Sequence, residues 1–193
     1  MSIAVPALAA PSVDRLRASS APAWLQVAGV AGFALLTVLL AQAEWRIYLW
    51  SVPLTLQTVS VYASGLFLGR RNGALAMLLY LALGLVLPVF SDGGSGVAHL
   101  LGASGGYLVA FPVVAFLVGA ITRERRTILR TAAALLAGSL VLFGFGVAWL
   151  VAGVGLAPGA ALVNGWLLFV PFDLTKIALV TALYAGARRA SDA

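Results

Sequence analysis

The chain contains no cysteine and a single histidine, and Asp, Glu, Lys and Arg together make up only 9% of its 193 residues. Without thiols there is neither a disulfide framework nor a thiolate metal site. His99 has no second histidine or carboxylate cluster beside it, so no metal centre is expected. No G-x-x-x-x-G-K-[ST] stretch occurs, and the chain therefore lacks a P-loop with which to bind and hydrolyse ATP. H-E-x-x-H is missing too, and no second inward carboxylate is available to pair with Asp173. No cofactor is expected. An intramembrane enzyme acting on lipid would need a nucleophile or an acid–base pair that the sequence does not offer.

What is present in quantity is hydrocarbon. Hydrophobic residues make up 62% of the chain, and the mean hydropathy is +1.05. A soluble domain of this length has too little interior to hide so much apolar surface. The net charge of +6 would suggest nucleic acid in a soluble protein. Here the arginines sit in short clusters between apolar runs, the pattern of membrane topology.

Six apolar stretches, near 23–43, 53–69, 72–90, 104–121, 132–152 and 160–187, approach the ~20 residues of a spanning helix. The expected fold is thus an all-α membrane protein of six transmembrane helices. Pro53 opens the second stretch, where a first helical turn tolerates it, and Pro171 predicts a kink or break in the sixth. "GRRNG" (69–73) leaves room only for a tight hairpin between spans two and three. Arg15 and Arg17 precede span one, Arg70 and Arg71 follow span two, Arg123, Arg125, Arg126 and Arg130 follow span four, and Arg188 and Arg189 follow span six. The opposite loops carry little positive charge beyond Arg46. Both termini are therefore expected in the cytoplasm, with loops 44–52, 91–103 and 153–159 outside. "AQA" (41–43) resembles a signal-peptidase site, but the preceding apolar run is longer than a signal peptide's. Residues 1–22 read as a flexible cytoplasmic tail, 23–187 as the membrane domain, and 188–193 as a short cytoplasmic tail.

One stretch stands out. "FVPFDLTK" (169–176) places an aspartate and the chain's only lysine three residues apart inside an apolar run. Each charge is costly at that depth, about 2.5–3.5 kcal/mol near a helix centre. On a helical projection Trp166, Phe169, Asp173, Lys176 and Tyr184 share a stripe about 80° wide, which should face inward. The pair could neutralise itself structurally or serve a ligand, and intramembrane ionisable groups favour the second reading. In span two, Gln57, Ser60 and Ser64 share one face while Thr55, Thr58 and Tyr62 share another. Hydroxyls can bond to their own helix, but the Gln57 amide needs outside partners. The glycine-rich loop "SDGGSGVAHLLGASGGYL" (91–108) permits left-handed turns and close approach of a ligand to backbone.

Taken in order, "VPLTLQT" opening span two, "LPVF" before the glycine-rich loop, "GASGGYL" opening span four and "DLTK" in span six resemble the BioY family. The resemblance runs across 52–187. It departs where the family's G-P-T-G-G-Y reads Gly102-Ala103-Ser104-Gly105-Gly106-Tyr107. It implies the S-component fold of energy-coupling-factor (ECF) transporters, a multi-pass protein of the bacterial cytoplasmic (inner) membrane that binds biotin near its outer face. It also implies a membrane T component and two ABC-type ATPases as partners, which fits the missing P-loop.

The implied biotin-binding set is Thr55, Gln57, Ser104, Gly105, Gly106, Tyr107, Trp166, Phe169, Asp173 and Lys176. Within it, Gln57 supplies amide contacts, the Ser104–Gly106 backbone approaches the ligand, and Tyr107 packs on its rings. Lys176 is expected to meet the carboxylate, with Arg46 or a backbone nest as the alternative, and Asp173 a ureido N–H, while Pro171 frees the carbonyl of Leu167 and starts a new half-helix. For the T component, "VAGVAGFA" (27–34) offers Ala28, Ala31 and Gly32 as a small-residue surface. The competing transport reading is a stand-alone proton-coupled carrier for biotin or a related carboxylate, using Asp173 and Lys176.

Overall fold

A computed structural model of the chain describes residues 12–17, 21–45, 52–124 and 127–192. Most of the expected 1–22 tail, together with Arg46, Arg125 and Arg126, lies outside the described residues. The architecture is all-α: α1 (Ala23–Gln42), α2 (Gln57–Val86), α3 (Gly96–Leu101), α4 (Gly105–Ile121), α5 (Ile128–Ala152), α6 (Pro158–Gly165) and α7 (Val170–Asp192). A two-residue strand β1 (Glu44–Trp45) pairs antiparallel with β2 (Leu54–Thr55).

α2 is two membrane segments in one. At Gly69 the backbone turns to φ 77° and ψ −179°, a conformation essentially reserved for glycine. The chain then doubles back on itself. Tyr80 on the second arm donates to Gln57 on the first at 3.3 Å. A Cβ on Gly73 would sit 2.9 Å from the carbonyl of Ser64, so the two arms touch backbone to backbone. The expected five-residue hairpin is thus a single-residue break. With α1, the two arms, α4, α5 and the α6–α7 unit, six helical segments cross the bundle.

The first arm starts later than the sequence suggests. Pro53 lies outside the helix, because Val52–Leu56 is non-helical and joins the small sheet. Residues 57–68 then rise only about 18 Å at ~1.5 Å per residue, well short of the ~30 Å hydrocarbon core. That shortfall leaves one end of the bundle to be built from extended chain and loops.

The last span is broken, but upstream of Pro171. α6 ends at Gly165, a 3₁₀ turn occupies Leu167–Phe169, and α7 begins at Val170. Pro171 therefore sits in the first turn of α7, where its missing N–H removes no intrahelical bond. It does not free the Leu167 carbonyl, which accepts from the Val170 N–H.

Residues 12–17 depart from the expected flexible tail. They form a 3₁₀ turn anchored to the bundle. The Arg17 guanidinium donates to the Leu66 carbonyl at 2.7 Å and the Gly119 carbonyl at 3.0 Å, capping two helix ends beside the Gly69 turn. Buried Asp14 accepts from the Tyr184 hydroxyl at 2.9 Å and lies 3.8 Å from Arg188.

The 91–103 region is structured as well. Asp92, Gly93 and Gly96 take the left-handed φ values that its composition permits. α3 brings His99 onto the buried Phe90 ring, with centroids 5.0 Å apart. The interior is aromatic: Tyr62, Tyr80, Tyr184 and Phe90 are fully enclosed. Leu39, Leu75, Phe116, Leu140 and Leu183 point outwards, the reverse of a soluble bundle and suited to lipid. Among the described residues, four helical stretches are long and apolar enough to cross a membrane, and α4 is a shorter apolar helix.

Candidate functional site

A cavity lies where the short first arm gives out. Residues 52–55, with Gln57 and Thr58 of α2, close one side, Ser91 and Ser104 border another, and α4, α5, Phe169 and α7 supply the rest. Of the residues expected from sequence, Thr55, Gln57, Ser104, Tyr107, Phe169, Asp173 and Lys176 line it.

Asp173 is 4% exposed. The Tyr62 hydroxyl donates to its Oδ1 at 2.9 Å and the Ser139 hydroxyl to its Oδ2 at 2.5 Å. Lys176, one turn along the same face of α7, donates its ammonium to the Thr55 carbonyl at 2.6 Å and to Thr58 Oγ1 at 3.1 Å. Among the described residues no ion pair joins the two. The two charges are therefore not in direct contact, and each has polar partners of its own. Thr55 can serve Lys176 because β2 is not helical, which leaves that carbonyl free of an intrahelical bond.

Valence leaves room at both charges. An ionised carboxylate has about four acceptor directions and Asp173 uses two; an ammonium has three donors and Lys176 uses two. Gln57 is buried, and its Oε1 accepts from Tyr80. Among the described residues its amide nitrogen makes no hydrogen bond, and the side chain borders the cavity.

The aromatic wall is organised by Phe143 on α5. Tyr107 meets it edge-on, Trp166 stacks parallel at 6.1 Å, and Phe169 lies tilted at 6.1 Å. Trp166 itself is not part of the lining and backs the wall from behind. The Tyr107 hydroxyl is committed to the Gly165 carbonyl at 2.6 Å, which pins α4 to the broken end of the last span.

Gly105 and Gly106 serve helix packing and not the cavity. A Cβ on Gly105 would overlap the Leu100 carbonyl, and one on Gly106 would overlap Trp149 and sit 2.6 Å from the Phe145 carbonyl. Neither lines the cavity. Gly102-Ala103-Ser104-Gly105-Gly106 also spells G-x-S-x-G. A nucleophile elbow needs a strand before that turn, whereas here α3 precedes it, so the pattern carries no catalytic reading.

Sequence reasoning missed Ser139, the Phe143 ring, and Phe111 of α4, which also lines the cavity. Ser139 left a usable trace as the only hydroxyl in 132–152. The two rings left none, since phenylalanine in an apolar helix fits lipid and protein equally. On α1, Ala28 and Gly32 are exposed and Ala31 is half-buried. A Cβ on Gly32 would meet nothing within 4 Å, so this small-residue surface faces away from the bundle.

A family model described as the BioY family matches residues 14–193. The chain is 39% identical over 154 residues to a "Probable biotin transporter BioY" of Pyrococcus horikoshii, covering 79% of this chain and 90% of that protein. It is 37% identical over 149 residues to the "Biotin transporter BioY" of Rhodobacter capsulatus, covering 70% and 78%. The fold matches a crystal structure of the S component for biotin from an ECF-type ABC transporter, with a TM-score of 0.77 and 27% identity over 85% of this chain and 90% of that one. A match over nearly the whole chain, on a bundle of six membrane-crossing segments, makes this multi-pass membrane protein a member of the BioY family.

Proposed function

We propose that the chain captures biotin in the cavity between β2, α4, α5 and α7 as the S component of an ECF-type transporter. The observation that carries this reading is the cavity's chemistry: a fixed carboxylate, a fixed ammonium and an unspent amide along an aromatic wall. Biotin presents a carboxylate, a ureido group with two N–H donors and one carbonyl, and an apolar bicycle. Lys176 has one donor left for the carboxylate, in a charge-assisted bond. Asp173 has acceptor capacity for a ureido N–H, and Gln57 Nε2 can donate to the ureido carbonyl. Phe143, Phe169 and Tyr107 supply the walls for the bicycle.

Uptake then needs an energy source that this sequence lacks. A T component and two ABC-type ATPases fill that role, with the small-residue face of α1 (Ala28, Ala31, Gly32) as the meeting surface. The protein sits in the bacterial cytoplasmic membrane with both termini inside and the cavity towards the outer face. It is a transport subunit and not an enzyme. The direct test is calorimetric titration of the purified chain with biotin. Saturable one-to-one binding is expected, and no binding by correctly folded protein would defeat the reading.

A further inference from the structure

A second cleft lies on the bundle's outer surface between α5 and α7, apart from the biotin cavity. It holds about 1050 Å³ of open space along Leu136, Leu174 and Ala178 and ends at Arg189. A shorter continuation of about 590 Å³ carries it past Thr131, Thr181 and Arg188 at the arginine-rich end of the molecule. Two features of that end are unusual. Thr131 and Thr181 are 1% and 8% exposed, yet among the described residues neither hydroxyl has a hydrogen-bond partner. Buried hydroxyls without partners are disfavoured and call for an acceptor or a donor. Basic residues also converge here: Arg188 and exposed Arg189 flank the continuation, and Arg123 and Arg130 stand at the same end of the bundle.

We propose that this cleft is a binding site for one anionic phospholipid. An acyl chain lies in the apolar groove between α5 and α7. The headgroup phosphate sits at the arginine end and accepts from Arg189, Thr131 and Thr181. A greasy groove closed by cations, with unsatisfied hydroxyls beside them, is complementary to an acyl chain joined to a phosphate. Basic pockets between helices at the cytoplasmic surface are recognised settings for anionic headgroups. A neutral transmembrane helix laid along Ala178, Ala182 and Gly186 would satisfy the groove but would leave the arginines and hydroxyls unanswered. The site is independent of biotin recognition, because none of its residues lines the biotin cavity.

The test is native mass spectrometry of the full chain in neutral detergent, with equimolar phosphatidylglycerol and phosphatidylcholine of matched acyl chains. Wild type should retain one phosphatidylglycerol about fivefold in preference to phosphatidylcholine, the scale of one arginine's attraction for an anionic surface. Arg189→Gln should abolish that preference. Ala182→Phe, which fills the groove, should lower retention of both lipids. Thr131→Val serves as a gentler variant, expected to weaken the preference without disturbing the fold. Biotin binding, measured alongside, reports folding. Equal retention of the two lipids by wild type would overturn the proposal, as would an undiminished preference in Arg189→Gln. Competition by millimolar inorganic phosphate alone would assign the site to the free anion. Retention of lipid by Ala182→Phe with loss of a co-expressed membrane partner would assign the groove to a helix.

Discussion

Lys176 and Asp173 lie one turn apart on α7 yet answer to different neighbours. Lys176 is tied to β2 and the first arm of α2, and Asp173 is tied to Tyr62 and Ser139. This separation makes their roles separable by mutation. Lys176→Met should bind biotin and its carboxamide analogue equally, whereas wild type should prefer biotin. If the mutant weakens both ligands by the same factor, Lys176 serves the fold or the ureido end. Ser139→Ala should cost about 1–3 kcal/mol, because it leaves a buried carboxylate oxygen short of a donor. The expected readout is a lower unfolding temperature together with weaker biotin binding. Unchanged biotin affinity would mean that Asp173 does not face the ligand. The sequence pointed to both charges, since an ion in an apolar run stands out. Their partners were not legible: the Thr55 carbonyl is a backbone atom, and Ser139 lies 34 positions away from Asp173.

Two elements carry the site, and both are interrupted helices. The first arm of α2 stops short and hands over to extended chain, which brings the Thr55 carbonyl to Lys176. The last span breaks at Trp166–Phe169, which turns Phe169 and Asp173 into the cavity. The arginine-containing turn at the other end depends on Gly69. Gly69→Ala would force a non-glycine residue into its φ 77° turn, at a cost of about 1–3 kcal/mol. The expected outcome is a lower unfolding temperature with biotin affinity unchanged, because the turn lies at the far end of the arm from the cavity. Gly105→Ala should act differently. Its new methyl would press on the Leu100 carbonyl of α3 and disturb the adjoining Ser104, which lines the cavity. Both stability and biotin affinity should fall, and an effect on neither would contradict the packing role assigned to this glycine.

For the whole molecule, topology and energy supply are the open predictions. With no native cysteine, Ala190→Cys is a clean reporter. An impermeant thiol reagent should label it only after the cells are opened; labelling in intact cells would invert the bundle. Vesicles holding the chain together with the proposed T component and ATPases should take up biotin only when supplied with nucleotide. Uptake by the chain alone, abolished by an uncoupler, would establish the proton-coupled carrier instead.

Composition alone determined that the solvent is lipid, because 62% hydrophobic residues cannot be hidden in a soluble domain of this size. The apolar runs determined the number of crossing segments, and two isolated charges marked one wall of the site. These are properties of short stretches, readable from residue type and spacing. Tertiary structure decided what depends on residues far apart in the chain. It gave Asp173 and Lys176 separate partners, moved the break in the last span upstream of Pro171, and anchored residues 12–17 to the bundle through Arg17 and Asp14. It also assigned Gly105 and Gly106 to helix packing. A glycine that admits a ligand and one that admits a neighbouring helix look alike in sequence, because the difference lies wholly in which atoms the fold brings within reach of the missing Cβ.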